Sequence, residues 1–329
     1  MKKTFTSFLL IFMLIACTTK PANQKVLVGI IRVPNDTVIA IQNKWIEEEF
    51  EKLGLDVEFR FFDSGVAMNQ AFASGALDIA EMGFTNGIVA LSRNLPVELF
   101  WIHDVIGQSE ALVVKDTSIE SVAALRGKNI ATIFNSTSHL SLLTALKAHG
   151  LSSGDVNLLN METAEIVAAW NRGDLDAAYT WEPTLSNIKE SGKVLLTSED
   201  LAKDGLMTTN IGLVHKDFIK NHHEALLKFI ESLDKAYHLR EENFEQVITD
   251  ASTYLGIDKE LAKTQLKGAK WISKEELVSD AYMKKTFIDV FYETSKFWSE
   301  QGFISKPLDK EVIEAFINPS YIQEVIDRD

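Results

Sequence analysis

A single cysteine, Cys17, stands in the whole chain of 329 residues, so no internal disulfide can form. The seven histidines show no Cys/His cluster at metal-ligand spacing, which argues against a zinc or iron–sulfur site. Glycine (17) and proline (6) are too sparse for a collagen-like or low-complexity chain. Positive charge is also scarce: 33 Lys and Arg face 47 Asp and Glu, a net −14. A nucleic-acid surface needs clustered cations to neutralise phosphates, so that class is excluded. There is no G-x-S-x-G elbow, phosphate-cradling glycine loop or HExxH motif, and enzymatic chemistry and a bound cofactor are not expected. What remains is 46% hydrophobic and 24% charged, a globular composition, at a length that suits about two domains.

The longest apolar run, Phe8 to Ala16, follows Lys2 and Lys3 and ends at Cys17. It is shorter than the roughly 20 residues of a spanning helix and reads as the core of a secretory leader. Leu14-Ile15-Ala16-Cys17 resembles a bacterial lipobox, which makes residues 1–16 a lipoprotein signal peptide and Cys17 a lipidation site. Acyl chains bury CH₂ groups at about 0.8 kcal/mol each, so a multiply acylated terminus anchors stably. Residues 17–24 suit a lipid-anchored tether, and the expected location is extracytoplasmic, held to the cell membrane. Loss of Lys2 and Lys3 takes the net charge from −14 to −16.

From Lys25 onward, short β-branched runs alternate with amphipathic stretches, the signature of an α/β fold with mainly parallel strands. Val26–Ile31, Val57–Phe62 and Asn129–Phe134 read as strands. Val38, Ile41, Trp45 and Phe50 lie at helical spacing in a helix opened by Pro34-Asn35-Asp36 and closed by Gly54. Residues 71–83 (AFASGALDIAEMG) echo residues 169–181 (AWNRGDLDAAYTW), 98 positions later, at Gly, Leu, Asp and Ala. Each copy reads as a helix ended by Gly, a tight turn and a short strand, so two similarly built lobes are expected. After Val214 the pattern is helical, with amphipathic stretches at 225–239, 244–254, 259–266 and 280–301. The expected arrangement is lobe I from 25–108 plus 214–329 and lobe II from 109–213, with a ligand in the cleft between them.

The segments FDSGVAMNQAFASGALDI, LPVELFWIHDVIGQSEALVVKD, STSHLSLLTALKAHGL and AAWNRGDLDAAYTWEPT resemble the substrate-binding component of taurine and aliphatic-sulfonate ABC importers. The resemblance runs through nearly all of the mature chain and is densest from Asp63 to Pro183, including the run that starts Ser109-Glu110. It implies a bilobal type II periplasmic binding protein, two α/β lobes joined by two crossovers with the helical C-terminal region packed on the first lobe. Such a protein closes over a small organosulfonate and presents it to a membrane permease and its ATPase, and it is expected to act as a monomer.

A sulfonate needs donors rather than a base. Asn135-Ser136-Thr137-Ser138-His139 sits between a strand and a helix, where free N–H groups and the macrodipole favour an anion; three hydroxyls there add donors, although N-capping alone explains Ser or Thr at such a place. In lobe I, Glu81, Gly83, Phe84 and Thr85 lie at the strand end produced by the repeat, and Trp181 and Glu182 are their counterparts in lobe II. Phe84 and Trp181 are expected to sandwich the ligand or meet its ammonium by cation–π attraction. Pro34, Asn35 and Asp63 complete the candidates at the ends of the first two strands. The resembled taurine binders carry an Asp near the second crossover, and here Asn210 aligns with it. Glu182, Asp104 or Glu81 is then the candidate partner for an amine. An alkanesulfonate without an amine, a nitrate-like anion, a pyrimidine precursor or a quaternary amine are the alternative ligands.

Overall fold

In the computed structural model, which describes residues 24–328, the β-branched runs form two separate sheets. The leader and the lipidation site at Cys17 lie outside the described residues. In chain order the strands are β1 (Gln24–Ile30), β2 (Leu55–Phe61), β3 (Ile79–Gly83), β4 (Val97–Ile106), β5 (Glu110–Val114), β6 (Asn129–Thr132), β7 (Asn157–Asn160), β8 (Ala177–Trp181), β9 (Lys193–Thr197), β10 (Thr209–His215) and β11 (Ala269–Lys270). The first sheet has the order β11-β4-β10-β3-β1-β2 and the second β7-β6-β8-β5-β9. Each has a parallel trio, β2-β1-β3 and β7-β6-β8, extended by antiparallel strands that carry the chain between lobes. Both sheets are therefore mixed rather than mainly parallel. The chain crosses once between β4 and β5 and returns once between the helix Ser198–Lys203 and β10, giving the bilobal type II periplasmic-binding-protein fold.

The first lobe holds the larger core, in which Phe50, Phe72, Phe84, Phe100 and Trp101 pack with Phe229, Phe287, Phe291 and Trp298 from the helical C-terminal region. The second lobe packs Leu112, Ile130, Leu146 and Tyr179 on one face of its sheet and Val113, Ala131, Ile166 and Trp170 on the other. Burial on both faces is the reason its strands read as near-continuous apolar runs.

The two echoed segments are built alike down to single hydrogen bonds. Gly75 (φ 72°) and Gly173 (φ 84°) end their helices in the left-handed region that favours glycine. In each copy the residue after the glycine turns back to the helix, Ala76 N to Ala71 O at 2.8 Å and Asp174 N to Ala169 O at 3.0 Å. The conserved-in-copy aspartate then ties the turn to the neighbouring parallel strand. Asp78 Oδ2 accepts from Leu27 N and Asp176 Oδ2 from Asn129 N, both at 2.8 Å. The helix read from Asp36 to Gly54 is broken into Asp36–Gln42 and Trp45–Lys52, because the Asn43 side chain donates to Ile39 O at 2.9 Å and Lys44 takes φ 59°.

Candidate ligand cleft

Between the lobes lies a cleft with about 720 Å³ of empty volume, open at its mouth. Lobe I contributes the strand ends around Ile31, Pro34, Gly83, Asp104 and Asn210, the turn at Ser64 and Gly65, and Asn86. Lobe II contributes Glu110, Ile133, Ser136, Thr137, Trp181 and Glu182. The first crossover is held beside the C-terminal region: Gly107 N and Ser109 N both donate to Gly268 O, at 3.0 and 3.1 Å. Gln265 and Ala269, from that same region, close one wall. Lobe-to-lobe contacts are already made, with Thr85 Oγ1 donating to Asn135 O at 2.8 Å.

The lobe II end of the cleft is the start of the helix Thr137–Ala148, capped by Ser136 Oγ, which accepts from His139 N at 3.2 Å. The first two N–H groups of this helix, on Thr137 and Ser138, have no acceptor among the described residues. With the macrodipole they make a site for an anion. The hydroxyls do not serve as the extra donors expected of them. Ser136 Oγ donates to Ile133 O at 2.6 Å, while Thr137 Oγ1 and Ser138 Oγ donate to Glu110 Oε2 at 2.5 and 2.8 Å. Glu110 also accepts from Ser198 at 2.7 Å and Ser141 at 3.3 Å, two donors on each oxygen. A buried carboxylate draws hydroxyl protons more strongly than a ligand carbon chain or a solvent gap would, so the protons point away from the cleft. Burial raises the Glu110 pKa, with the four hydroxyls opposing the rise.

The cleft lining carries three carboxylates, Asp104, Glu110 and Glu182, and no Lys, Arg or His. Glu182, 3% exposed, accepts from Ser186 N at 2.9 Å and pairs with Lys189 Nζ at 3.4 Å. Asp104, 4% exposed, accepts among the described residues from Asn210 Nδ2 alone, at 2.9 Å on Oδ1. Burial pushes Asp104 up to about 7, against the lowering field of His103. Behind the cleft wall, His103 Nδ1 meets Asp36 Oδ1 at 2.6 Å, and Trp101 Nε1 donates to Asp36 Oδ2 at 2.8 Å. Burial opposes the imidazolium, but the Asp36 carboxylate outweighs it and raises His103 to about 9.

Several expected site residues stand elsewhere. Phe84 is fully buried in the lobe I core, its ring 6.0 Å from Phe287 and 5.7 Å from Phe291, so it does not sandwich a ligand with Trp181. The helix that begins at Phe84 turns its first side chain inward, where three phenyl rings bury more apolar area than the cleft offers. His139 is an interlobe packing residue: it stacks on Phe134 at 4.5 Å and meets Phe303 at 4.8 Å and Trp298 at 5.6 Å. Burial lowers its pKa to about 4, and Nδ1 accepts from Asn135 N at 3.2 Å. Glu81 faces away from the cleft, accepting from Ile31 N at 2.6 Å and Asn35 Nδ2 at 2.8 Å, so it is removed as an amine partner. Asn35 also caps Val38 N at 3.0 Å. Asp63, Thr85, Asn135 and Ser138 adjoin the lining without forming it, whereas Pro34, Gly83, Asp104, Glu110, Ser136, Thr137, Trp181, Glu182 and Asn210 are brought together there. Sequence reasoning missed Asn86 and Gln265, whose Oδ1 and Nε2 are buried without protein partners. Gln265 comes from an amphipathic tail helix that gives no local sign of a site.

Comparison with known proteins fits this geometry. A sequence model described as NMT1/THI5 like matches residues 46–245. The chain belongs to the NMT1/THI5-like family. The chain is similar to the taurine-binding periplasmic protein of Escherichia coli (strain K12), 42% identical over 179 residues, which span 54% of this chain and 56% of that protein. A protein of Bacillus subtilis (strain 168) named for binding aliphatic sulfonates is 26% identical over 327 residues, 96% of this chain and 94% of its own. Among solved structures, the alkanesulfonate-binding protein of Xanthomonas axonopodis pv. citri bound to MOPS superposes with a TM-score of 0.71 at 20% identity, covering 89% of this chain and 96% of that one. The desulfurization enzyme DszB shares the fold as well, with a TM-score of 0.67 at 13% identity over 93% of this chain and 99% of that one, so the fold by itself does not separate binding from catalysis.

Proposed function

We propose that this protein is the extracytoplasmic solute-binding component of an ABC importer, capturing taurine or a related organosulfonate between its lobes without turning it over. The observation that carries the reading is the helix start at Ser136 and Thr137, which lines an interlobe cleft and leaves the Thr137 and Ser138 N–H groups without an acceptor among the described residues, in a chain 42% identical over 179 residues to a taurine-binding protein. A sulfonate stays ionised at physiological pH, and a helix start offers it fixed donors that need no proton exchange. Trp181 lies beside it to cover the alkyl portion. At −14 overall, the protein's general field repels an anion, so capture depends on these local donors. Catalysis is disfavoured because the cleft acids are engaged with hydroxyls, a lysine and an amide rather than poised against a nucleophile.

The partners that follow are a membrane permease and its ATPase, with Cys17 lipidated and holding the protein, as a monomer, at the outer face of the cell membrane. Replacing Cys17 by Ala and following acyl incorporation and membrane retention tests the anchor. The acidic lining also suits a quaternary amine, but such a ligand leaves the N–H pair unused. Calorimetry of residues 18–329 against taurine, ethanesulfonate, sulfate and choline separates these cases. Binding of either sulfonate in preference to choline is expected, and choline alone binding would overturn the reading.

A further inference from the structure

We propose that the ligand carries a cationic amine and that Asp104 holds it, with Asn210 as the residue that positions Asp104. The inference rests on the organosulfonate reading and narrows its ligand to an amino-sulfonate.

The argument is one of unmet capacity. Of the three carboxylates in the lining, Glu110 already has two hydroxyl donors on each oxygen, and Glu182 has a backbone N–H and a lysine. Asp104 alone has one oxygen, Oδ2, with no donor among the described residues, while Oδ1 is fixed by the Asn210 amide. It is 4% exposed and lines the cleft, and burying an ionised carboxylate without a counter-charge is costly. The cations nearby do not fill the gap. His103 precedes Asp104 in the strand pleat and points to the opposite face, where it pairs with Asp36 at 2.6 Å. Arg240, whose charge is felt by Asp104, turns Nη2 to Leu266 O and Ala269 O, at 3.0 and 3.2 Å, and lays its plane 4.6 Å from the Trp271 ring. The remaining counter-charge is left for the ligand.

Strand register supplies the second support. Asn210 on β10 stands directly opposite Asp104 on β4 as its antiparallel partner, at a point where the register shifts. Facing side chains on neighbouring antiparallel strands lie within about 5.5 Å at Cβ, so an acid moved from one strand to the other stays at the same end of the cleft. The pair therefore works as one unit, carboxylate and amide, and the two positions are interchangeable in principle. The anion end at Thr137 and the acid end at Asp104 belong to opposite lobes, so a ligand with both charges binds both lobes at once and favours their closure.

The test is calorimetry of the purified protein with taurine and with ethanesulfonate, comparing wild type, Asp104→Asn, Asn210→Asp and the exchanged pair Asp104→Asn/Asn210→Asp. Wild type is expected to prefer taurine by at least tenfold. Asp104→Asn should lose about 100-fold for taurine while changing ethanesulfonate less than fivefold, and the exchanged pair should regain most of the taurine affinity. Equal wild-type affinity for the two sulfonates would overturn the amine assignment and leave the sulfonate reading intact. Parallel loss of both ligands in Asp104→Asn, with no recovery in the exchanged pair, would make Asp104 structural. Failure of wild type to bind either sulfonate would refute the underlying reading.

Discussion

Closure of the lobes is sensed most sharply at Gly83. Its backbone is ordinary (φ −60°, ψ 141°), so alanine is conformationally allowed there. A Cβ at this position would lie 2.9 Å from Thr137 Cγ2, across the cleft in the other lobe. Non-bonded carbons rest at about 3.5–4.0 Å, so the lobes must part by roughly 0.6–1.1 Å. Thr137 cannot rotate out of the way while Oγ1 is held by Glu110 at 2.5 Å. The same opening would stretch the 2.8 Å bond from Thr85 to Asn135 O to the edge of hydrogen-bonding distance. That bond is worth about 1 kcal/mol, and a loosened anion contact about as much again. Gly83→Ala should therefore weaken taurine binding by about 2 kcal/mol, close to 30-fold. The free protein loses little, because the open form has room for the methyl, and its Tm should stay within about 2 °C of wild type.

Calorimetry gives the affinity and differential scanning calorimetry the Tm. The decisive control is Gly83→Ala in a Thr137→Ser background, which removes Cγ2 and keeps the hydroxyl on Glu110. Binding should return to within about threefold of Thr137→Ser alone, since nothing but the methyl–methyl clash has been relieved. Wild-type affinity in Gly83→Ala, or no rescue by Thr137→Ser, would refute a closed cleft set by this contact.

Three further outcomes follow from the same geometry. Asp104, raised to about 7 by burial and faced by His103 and Glu81 on the neighbouring positions of the sheet, by Asp36 behind them and by Arg240, must ionise to meet an ammonium. Taurine affinity should rise about tenfold per pH unit from 5.5 to about 7 and then level off, measured by calorimetry at each pH, and the slope should vanish in Asp104→Asn. Glu110→Ala strands four buried hydroxyls at about 1 kcal/mol or more each, so chemical denaturation should show a loss near 3–5 kcal/mol, whereas a change below 1 kcal/mol would mean the cluster is not structural. Phe84→Leu should lower stability by about 1 kcal/mol and leave taurine affinity unchanged, while Trp181→Ala should do the reverse; a binding defect in Phe84→Leu with stability intact would return Phe84 to the cleft.

The fold was legible because its signals are local. The turn Gly-x-Leu-Asp appears twice in the sequence, and in both copies the aspartate reaches a backbone N–H of the adjacent parallel strand, Leu27 or Asn129, at the same 2.8 Å. The glycine positions dictate chain reversal and the aspartates dictate which strand follows, so two like lobes could be read without any contact map. The second strand of each crossover was not legible in the same way. β10 and β5 are each inserted between two strands that are consecutive in the chain, β3 and β4 or β8 and β9, and an antiparallel insertion leaves no mark in hydropathy that a parallel one would lack.

At the site, position was easier to read than direction. Ser136, Thr137 and Trp181 were placed at the cleft by their location at strand ends, yet whether a hydroxyl gives its proton to a ligand or to the protein depends on a distant acid. Glu110 decides that question from 27 residues away in the chain, for Thr137, and from 88 for Ser198. Phe84 fails for the same reason: its neighbours Phe287 and Phe291 come from the tail, and the sequence around Phe84 does not contain them. Asn210 taken alone offers the cleft an amide and no charge. Set beside Asp104, 2.9 Å away on the adjacent strand, it is an amide that holds a carboxylate in place. Charge at the end of this cleft is thus a property of the strand pair, and a ligand senses the pair's sum rather than either residue.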